Sequence, residues 1–516
     1  MESKLMLVTD DYEGLHVRGN FPECTRIKTM DGKTRTFEMS KDGRYLVRSD
    51  NLTVTLVDMD TLQDVFQLDA PGAQLLRISP MNQVLTFWTV NKQDSGHNVM
   101  LYKIPSGRFL QSFKQKQSFW CLDWTDDDVM SARFFNGELH FYENNIYSRY
   151  VNRLYTQKVS DFSVSTCKKG SQVVYYVAIM CLGAHGQPNF VKLFQYPEFD
   201  TPKAQKCFFN ATQCEFKWSP RGDAVLVICS SEVDTTGKSY YGKQSLIYMD
   251  TLISSSVSLD KEGSVHTVEW HPSTKNPIFA VIYGFFPPKV TLFNNKCQIV
   301  HDFGEIQANQ VFFNRPYGNL LALAGFGNLR SGIFIYNFEK KSMISRIQCC
   351  DTTQVSWAPD GLHLLTAITA PRMRIGNCFQ VWHYSGKPLH EERYPDGDSL
   401  LRVLWRPCSD FPDEPPKIIE SNILIKTQAK EMNPTKYVPP ALRKTAALEK
   451  PTSKPSPQSN VSDKDKKLKA IEKKLDAIKK LKKTRKAGGH LEKNQLEKIS
   501  KEKELLKELE DLKISA

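Results

Sequence analysis

The chain has 516 residues, 40% of them apolar and 11% aromatic, and its 69 Lys and Arg against 57 Asp and Glu leave a formal charge of +12. That much apolar content can bury a core, which excludes full-length disorder, and the length fits either two to four domains or one large repeat fold. The longest apolar run, Val173 to Ala184, is well short of the ~20 residues a membrane-spanning helix needs.

The opening stretch, Met1-Glu-Ser-Lys-Leu-Met-Leu-Val-Thr-Asp-Asp, has an acidic flank and too few apolar residues for a secretory signal, so a cytoplasmic protein without a membrane partner is expected. Its 12 cysteines include no Cys-x-x-Cys. They are expected to be reduced core thiols, with no zinc site.

Along the chain a phrase recurs in which a Trp or apolar residue is followed by a small polar residue, then Pro, Asp or Gly, then an apolar strand. It reads Met39-Ser-Lys-Asp-Gly, Ile78-Ser-Pro, Trp124-Thr-Asp-Asp, Val164-Ser-Thr-Cys, Trp218-Ser-Pro-Arg-Gly, Trp270-His-Pro, Phe313-Asn-Arg-Pro, Trp357-Ala-Pro-Asp-Gly and Trp405-Arg-Pro. The spacing averages roughly 46 residues, one four-stranded propeller blade per repeat. Pro presets the turn and Asp and Gly accept its geometry, so each phrase closes a hairpin. "MSARFF" and "ELHFYE" flank Asn136-Gly137 as a second type of hairpin. A nine-bladed, all-β propeller is predicted over 1–430. Two β-domains split near residue 200 are the alternative.

After Trp405 one further strand, "KIIESNILI", is predicted, which leaves the last blade short. The N-terminal "LMLV" and "GLHVRG" are expected to complete it, because closure removes exposed strand edges.

Several short motifs look chemical. Thr235-Thr-Gly-Lys-Ser239 resembles the end of a phosphate loop, but Glu232 stands where a Gly is required and strands flank it. Gly325-Phe-Gly-Asn-Leu-Arg330 is a truncated dinucleotide fingerprint between two strands. No nucleophile elbow and no His-x-x-x-His occurs. No catalytic, cofactor-binding or metal-binding residue is assigned, and no enzyme activity is expected. Arg330, Arg372 and Arg374 sit in predicted connections, which gather on a propeller's faces; they are candidate contacts, against the alternative of solvated loops.

Beyond residue 430 the composition changes. Residues 431–463 form a Pro/Ser/Lys-rich linker in which Tyr437, Pro439, Pro440, Leu442 and Arg443 make a candidate docking motif, with a plain linker as the alternative. From 464 to 516 the period becomes helical, with Leu468, Ile471, Leu475, Ile478 and Leu481 on one stripe. Gly488-Gly489 separates this from a second stripe, predicting a helical hairpin. Residues 441–516 carry a net charge of +10. The first helix alone, Lys464 to Lys486, has 12 basic and 3 acidic residues. Its Lys464, Lys466, Lys467, Lys469, Lys473, Lys474, Lys479, Lys480, Lys482, Lys483, Arg485 and Lys486 are the candidate RNA- or ribosome-binding residues. Without interleaved aromatics they would read phosphate rather than base.

Five long segments, "TTGKSYYGKQSLIYM" (235–249), "LALAGFGNLRSG" (321–332), "TAPRMRIGNCFQVWHYSG" (369–386), "YVPPALR" (437–443) and "LEKNQLEKI" (491–499), resemble the eukaryotic translation initiation factor 2A family, whose members are WD-repeat-like. The resemblance implies a nine-bladed propeller. It also implies a role in bringing initiator methionyl-tRNA to the small (40S) ribosomal subunit without GTP hydrolysis of its own, with mRNA and other initiation factors as further partners. A protein-binding scaffold with no direct tRNA contact is the alternative.

Overall fold

The computed structural model describes residues 5–419 apart from 31, 91–95, 116–121, 157, 185–186, 210, 231–243, 328, 330, 350 and 413, and beyond them Ile478. Among the described residues, 36 strands form nine four-stranded antiparallel sheets. Each sheet is a blade whose strands a to d run outward from a central channel. The inner a strands are, for blades 1 to 9, Thr36–Met39, Ala73–Ile78, Leu122–Trp124, Val159–Lys169, Gln213–Trp218, Val265–Trp270, Gln310–Phe313, Gln354–Trp357 and Leu400–Trp405. Eight of the nine sequence anchors are the last residue of an a strand, and Val164 lies within one. The propeller is therefore continuous, and the split near residue 200 does not occur: blade 4 runs from Val159 to Phe208 across it.

Burial follows position in the blade. Strand b is covered on both faces by neighbouring blades, so it reads as a largely apolar run: Val84–Thr89 and Leu320–Gly325 are buried throughout. Strand d forms the rim, and Thr25–Thr29 is exposed throughout. The core is nine separate clusters, one at each blade interface, from that between blades 9 and 1 (Val8, Val17, Phe37, Leu46) to that between blades 8 and 9 (Leu365, Phe379, Val403, Trp405). Burial of this kind contributes about 25 cal/mol per Å² of apolar surface at every seam.

The anchors also carry directed contacts between blades. The indole N–H of Trp218 donates to Ser163 Oγ at 3.0 Å, that of Trp270 to the Lys217 carbonyl at 2.8 Å and that of Trp357 to the Phe312 carbonyl at 3.2 Å, each on the preceding a strand. The glycine of the phrase is required for the same packing. Gly43 and Gly222 have φ of +75° and +72°, and a Cβ there would lie 2.0 Å from Pro407 O and 2.1 Å from Thr166 O. Only Gly lets the turn of one blade approach the preceding backbone so closely.

The ring closes through blade 9, which takes strand a from Leu400–Trp405 and strands b, c and d from Leu7–Asp11, Gly14–Gly19 and Thr25–Thr29. Leu7 pairs with Trp405 and Val8 with Leu404. The N-terminus thus completes the last blade, supplying three strands. Of the strand expected at 417–425, Lys417–Ile419 is irregular and 420–425 lies outside the described residues. Pro412, Pro415 and Pro416 precede it, and three polar anchors hold the segment to blades 7 and 8 as a strap: Tyr317 donates to the Pro412 carbonyl (2.7 Å), Asn319 Nδ2 to the Pro416 carbonyl (3.4 Å) and Ile419 N–H to Tyr384 Oη (2.9 Å). Blade 9 already has its four strands without it.

Cα proximity divides the chain into Met1–Ile425 and Lys426–Ala516. In the second unit Ile478 is helical and buried. The remainder of the predicted linker and helical hairpin lies outside the described residues.

Candidate functional site

A propeller offers its channel and its two loop faces, and the channel is the natural place to seek a ligand. Here it opens into a cavity of about 1780 Å³ on the face formed by the a–b turns, lined by Trp357, Trp405, Phe411, Tyr317, Pro412 and Pro415. Its charged lining is mixed, with Lys41, Lys217, Lys275 and Arg315 set among Asp42, Asp126 and Glu269. The inner strands carry Glu38, Asp123, Asp161, Glu215 and Glu269 together with Lys168 and Lys169, exposed at the end of the blade 4 strand, and with Arg77, Lys217 and Arg402.

Those three cations are engaged in holding blades together. Arg77 donates to the Leu122 carbonyl (3.4 Å), Lys217 to that of Val268 (2.8 Å) and Arg402 to that of Phe37 (3.0 Å), in each case on the next a strand. Asp123 makes the reciprocal contact, accepting from Ser163 Oγ (3.0 Å) and Val164 N–H (2.9 Å). Burial pushes the carboxyls of Asp123, Asp161 and Glu38 above their usual range, with Arg77 opposing this at Asp123 and Arg402 and Arg77 at Glu38. The polar residues of the inner strands are rivets rather than readers.

Asp11, Glu13 and His16 in blade 9 are close enough to suggest a cation site, but their partners are internal. His16 bridges Asp11 Oδ1 and Thr29 Oγ1, both at 3.0 Å, Tyr394 donates to Asp11 Oδ2 at 3.2 Å, and Arg26 pairs with both carboxylates. The cluster belongs to the closure of the ring. The described cysteines are all free thiols, and burial drives those of Cys24 and Cys229 up to about 12. Six of the described cysteines, Cys24, Cys167, Cys181, Cys229, Cys349 and Cys378, are buried and fill core, whereas Cys207 is exposed.

The loop that carries Arg372 and Arg374 meets a loop of blade 7. The loop 369–377 of blade 8 lies on the face formed by the b–c turns, where Met373 N–H and Arg372 N–H donate to the Thr369 carbonyl (2.8 and 3.2 Å) and Asn377 Nδ2 donates to the Met373 carbonyl (2.8 Å). Arg372 and Arg374 are exposed. The Arg372 guanidinium is 2.9 Å from where a Cβ would stand on Gly327, whose φ is +70°. Gly327 belongs to the blade 7 loop that carries Arg330, so adjacent blades bring the two loops into contact; Arg330 itself lies outside the described residues. The phosphate-loop look-alike at 235–239 also lies outside them. Its flanks Ala224–Ser230 and Gln244–Asp250 pair antiparallel, Ser230 with Gln244, so the segment joins two strands of one hairpin rather than a strand to a helix. The twelve candidate residues from Lys464 to Arg485 and Lys486, and the motif Tyr437, Pro439, Pro440, Leu442 and Arg443, lie outside the described residues.

Comparison with known proteins bears on what this ring serves. A family model described as "Eukaryotic translation initiation factor eIF2A" matches residues 206–403. The chain is 34% identical over 438 residues to a Drosophila melanogaster protein named eukaryotic translation initiation factor 2A, covering 82% of this chain and 68% of that protein. A Caenorhabditis elegans protein of the same name is 29% identical over 541 residues, covering 94% of each. A solved structure titled "Crystal structure of the eukaryotic initiation factor" superposes with a TM-score of 0.70 at 26% identity, over 79% of this chain and 99% of that one.

Proposed function

The chain belongs to the eukaryotic translation initiation factor 2A family, and from that premise we propose that it binds the small (40S) ribosomal subunit and promotes initiator methionyl-tRNA binding there without hydrolysing GTP itself. The observation that carries this reading is the similarity itself, which extends over 94% of the chain in one relative and so includes both ring and tail. The charge distribution supports a division of labour. A nearly neutral ring with committed inner cations recognises by shape, while Lys464 to Lys486, at +9, holds RNA by its phosphates. Contacts to mRNA and to other initiation factors, and a cytoplasmic location, belong to the same reading, as does the absence of a catalytic role.

The test is retention of initiator methionyl-tRNA on purified small subunits with the full chain and no GTP. Retention that rises with added protein supports the proposal, and retention equal to the protein-free control overturns it. The engagement of Arg77, Lys217 and Arg402 within the ring favours one second reading, a scaffold that docks on the subunit without touching tRNA. That reading predicts subunit binding with no change in tRNA retention.

A further inference from the structure

The outer half of blade 3 carries an aromatic and arginine surface that neither the tail nor the arginine loops account for. Its strands b, c and d are Met130–Phe135, Glu138–Glu143 and Asn152–Tyr155. The register aligns Phe135, Glu138 and Tyr155 in one row and Arg133, His140 and Arg153 in the next, so all six side chains share one face of the sheet. Tyr150, from the connection preceding strand d, lies over His140 with ring centroids 4.3 Å apart and planes within 22°. Phe135 abuts the same imidazole at 5.8 Å. Tyr155 is 68% exposed and Tyr150 40%.

The surface is held rigidly. Tyr147, buried, accepts from the Trp124 indole (3.0 Å) and donates to Asn145 Oδ1 (2.9 Å). Asn144 and Asn145 hold left-handed φ of 52° and 57°, and Val151 N–H donates to the Phe141 carbonyl (2.9 Å). Arg133 lies over both Phe113 and Phe135 at 4.2 and 4.8 Å and donates to Gln115 Oε1 and the Lys114 carbonyl, which fixes Phe135 from behind. Rings fixed in this way lose little entropy when a planar ligand stacks on them.

The chemistry of that ligand follows from the charge. From Asn144 to Lys158 the sequence NNIYSRYVNRLYTQK contains Arg149, Arg153 and Lys158 and no acidic residue. Arg149 is exposed, and Arg153, 60% exposed, makes a single ion pair to Glu138 at 3.4 Å. Exposed aromatics interleaved with Arg are how single-stranded RNA is held: bases stack on the rings while guanidinium groups meet the phosphates. Arg153 has Glu138 as its partner within the blade, but a purely apolar ligand would leave the exposed Arg149 and Lys158 unmatched. We propose that the Tyr150–His140 stack and Tyr155, flanked by Arg149 and Arg153, form a stacking platform for single-stranded RNA on the outer edge of blade 3. It is independent of the basic tail and holds whether or not the tail binds RNA.

The platform is tested on the full chain by binding of a short oligouridine at about 0.3 M salt, where phosphate contacts by the tail lysines are strongly weakened and stacking persists. The Tyr150→Ala/Tyr155→Ala variant is expected to weaken binding about tenfold or more, the Tyr150→Phe/Tyr155→Phe variant to retain it, and Arg149→Gln to weaken it with a shallower salt dependence. All three sites are exposed, and an unchanged melting midpoint shows that the ring is intact. Photocrosslinks to the RNA are expected within 146–155. Unchanged affinity of the double Ala variant overturns the proposal. So do crosslinks confined to 464–486, or a double Ala variant that loses only small-subunit association, which would make the surface a protein contact.

Discussion

Arg18 and Glu392 lie 374 positions apart in sequence and form a bidentate pair across the seam between blades 9 and 8, with Arg18 Nη2 2.7 Å from Glu392 Oε1. Arg18 is buried and also donates to Thr9 Oγ1 (3.0 Å) and the Cys24 carbonyl (3.2 Å). A buried guanidinium that loses its carboxylate keeps its desolvation cost without the compensating charge. Glu392→Gln is therefore expected to destabilise the ring by about 2–3 kcal/mol, less than a fully buried pair because Glu392 is partly exposed. Chemical denaturation of the two chains measures it, and an unchanged midpoint would remove this contact from the closure.

Closure also depends on the N-terminal strands. Deleting residues 1–20 removes strands b and c of blade 9, opening an edge along Leu400–Trp405 and the seam with blade 1. The melting midpoint is expected to fall and the transition to broaden. A midpoint equal to that of the intact chain would contradict the closure.

Asp10 pairs in register with Arg402 and is buried. Burial, reinforced by the charge of Asp11 and opposed by Arg402, raises its carboxyl to about 6. A folded-state value above the unfolded one means that ionisation costs the native state. Stability from this group is complete below about pH 4 and declines as pH rises through about 6. Asp10→Asn is accordingly expected to raise stability at pH 7 by on the order of 1–3 kcal/mol, with the difference vanishing toward pH 4. Melting of both chains from pH 4 to 7 checks it; a gain that does not change with pH would contradict this origin.

Gly170 and Gly222 both have left-handed φ, but a Cβ on Gly170 meets nothing within 4 Å whereas one on Gly222 meets Thr166 O at 2.1 Å. Ala at 170 is expected to cost about 1 kcal/mol and Ala at 222 about 2–3 kcal/mol. Equal costs would mean that the turn of blade 5 yields more easily than its packing implies.

The repeat was legible because the anchor residue does two jobs visible in sequence: it ends strand a and, as in Trp218, Trp270 and Trp357, reaches back to the preceding blade. The third N-terminal strand, Thr25–Thr29, was not. Its TRIKT sequence is exposed throughout and carries no apolar face to mark it. Lys417–Ile419 misled for the opposite reason: apolar residues that dock into a groove, Ile418 against the core between blades 7 and 8, look like a strand. Of the candidate site, the placement of Arg372 and Arg374 in an exposed connection followed from the strand pattern. The pairing of the inner-strand cations did not, because it depends on register between blades. The blade 3 surface did leave a signal, Arg149-Tyr150-Val151-Asn152-Arg153-Leu154-Tyr155, concealed by its equal fit to an ordinary edge strand.

The central claim is that most of the salt-sensitive contact with ribosomal phosphates resides in Lys464 to Lys486, with the ring docking by shape and the blade 3 platform adding mainly stacking to single strands. Sedimentation with small ribosomal subunits across a salt series, using the full chain and a variant with those 12 basic residues changed to Gln, tests it most directly. If about six of them meet phosphates, binding by the full chain falls roughly a thousandfold between 50 and 200 mM salt. The variant is expected to bind more weakly at 50 mM and to show a much flatter slope. A variant that binds as tightly and with the same salt dependence would contradict the account.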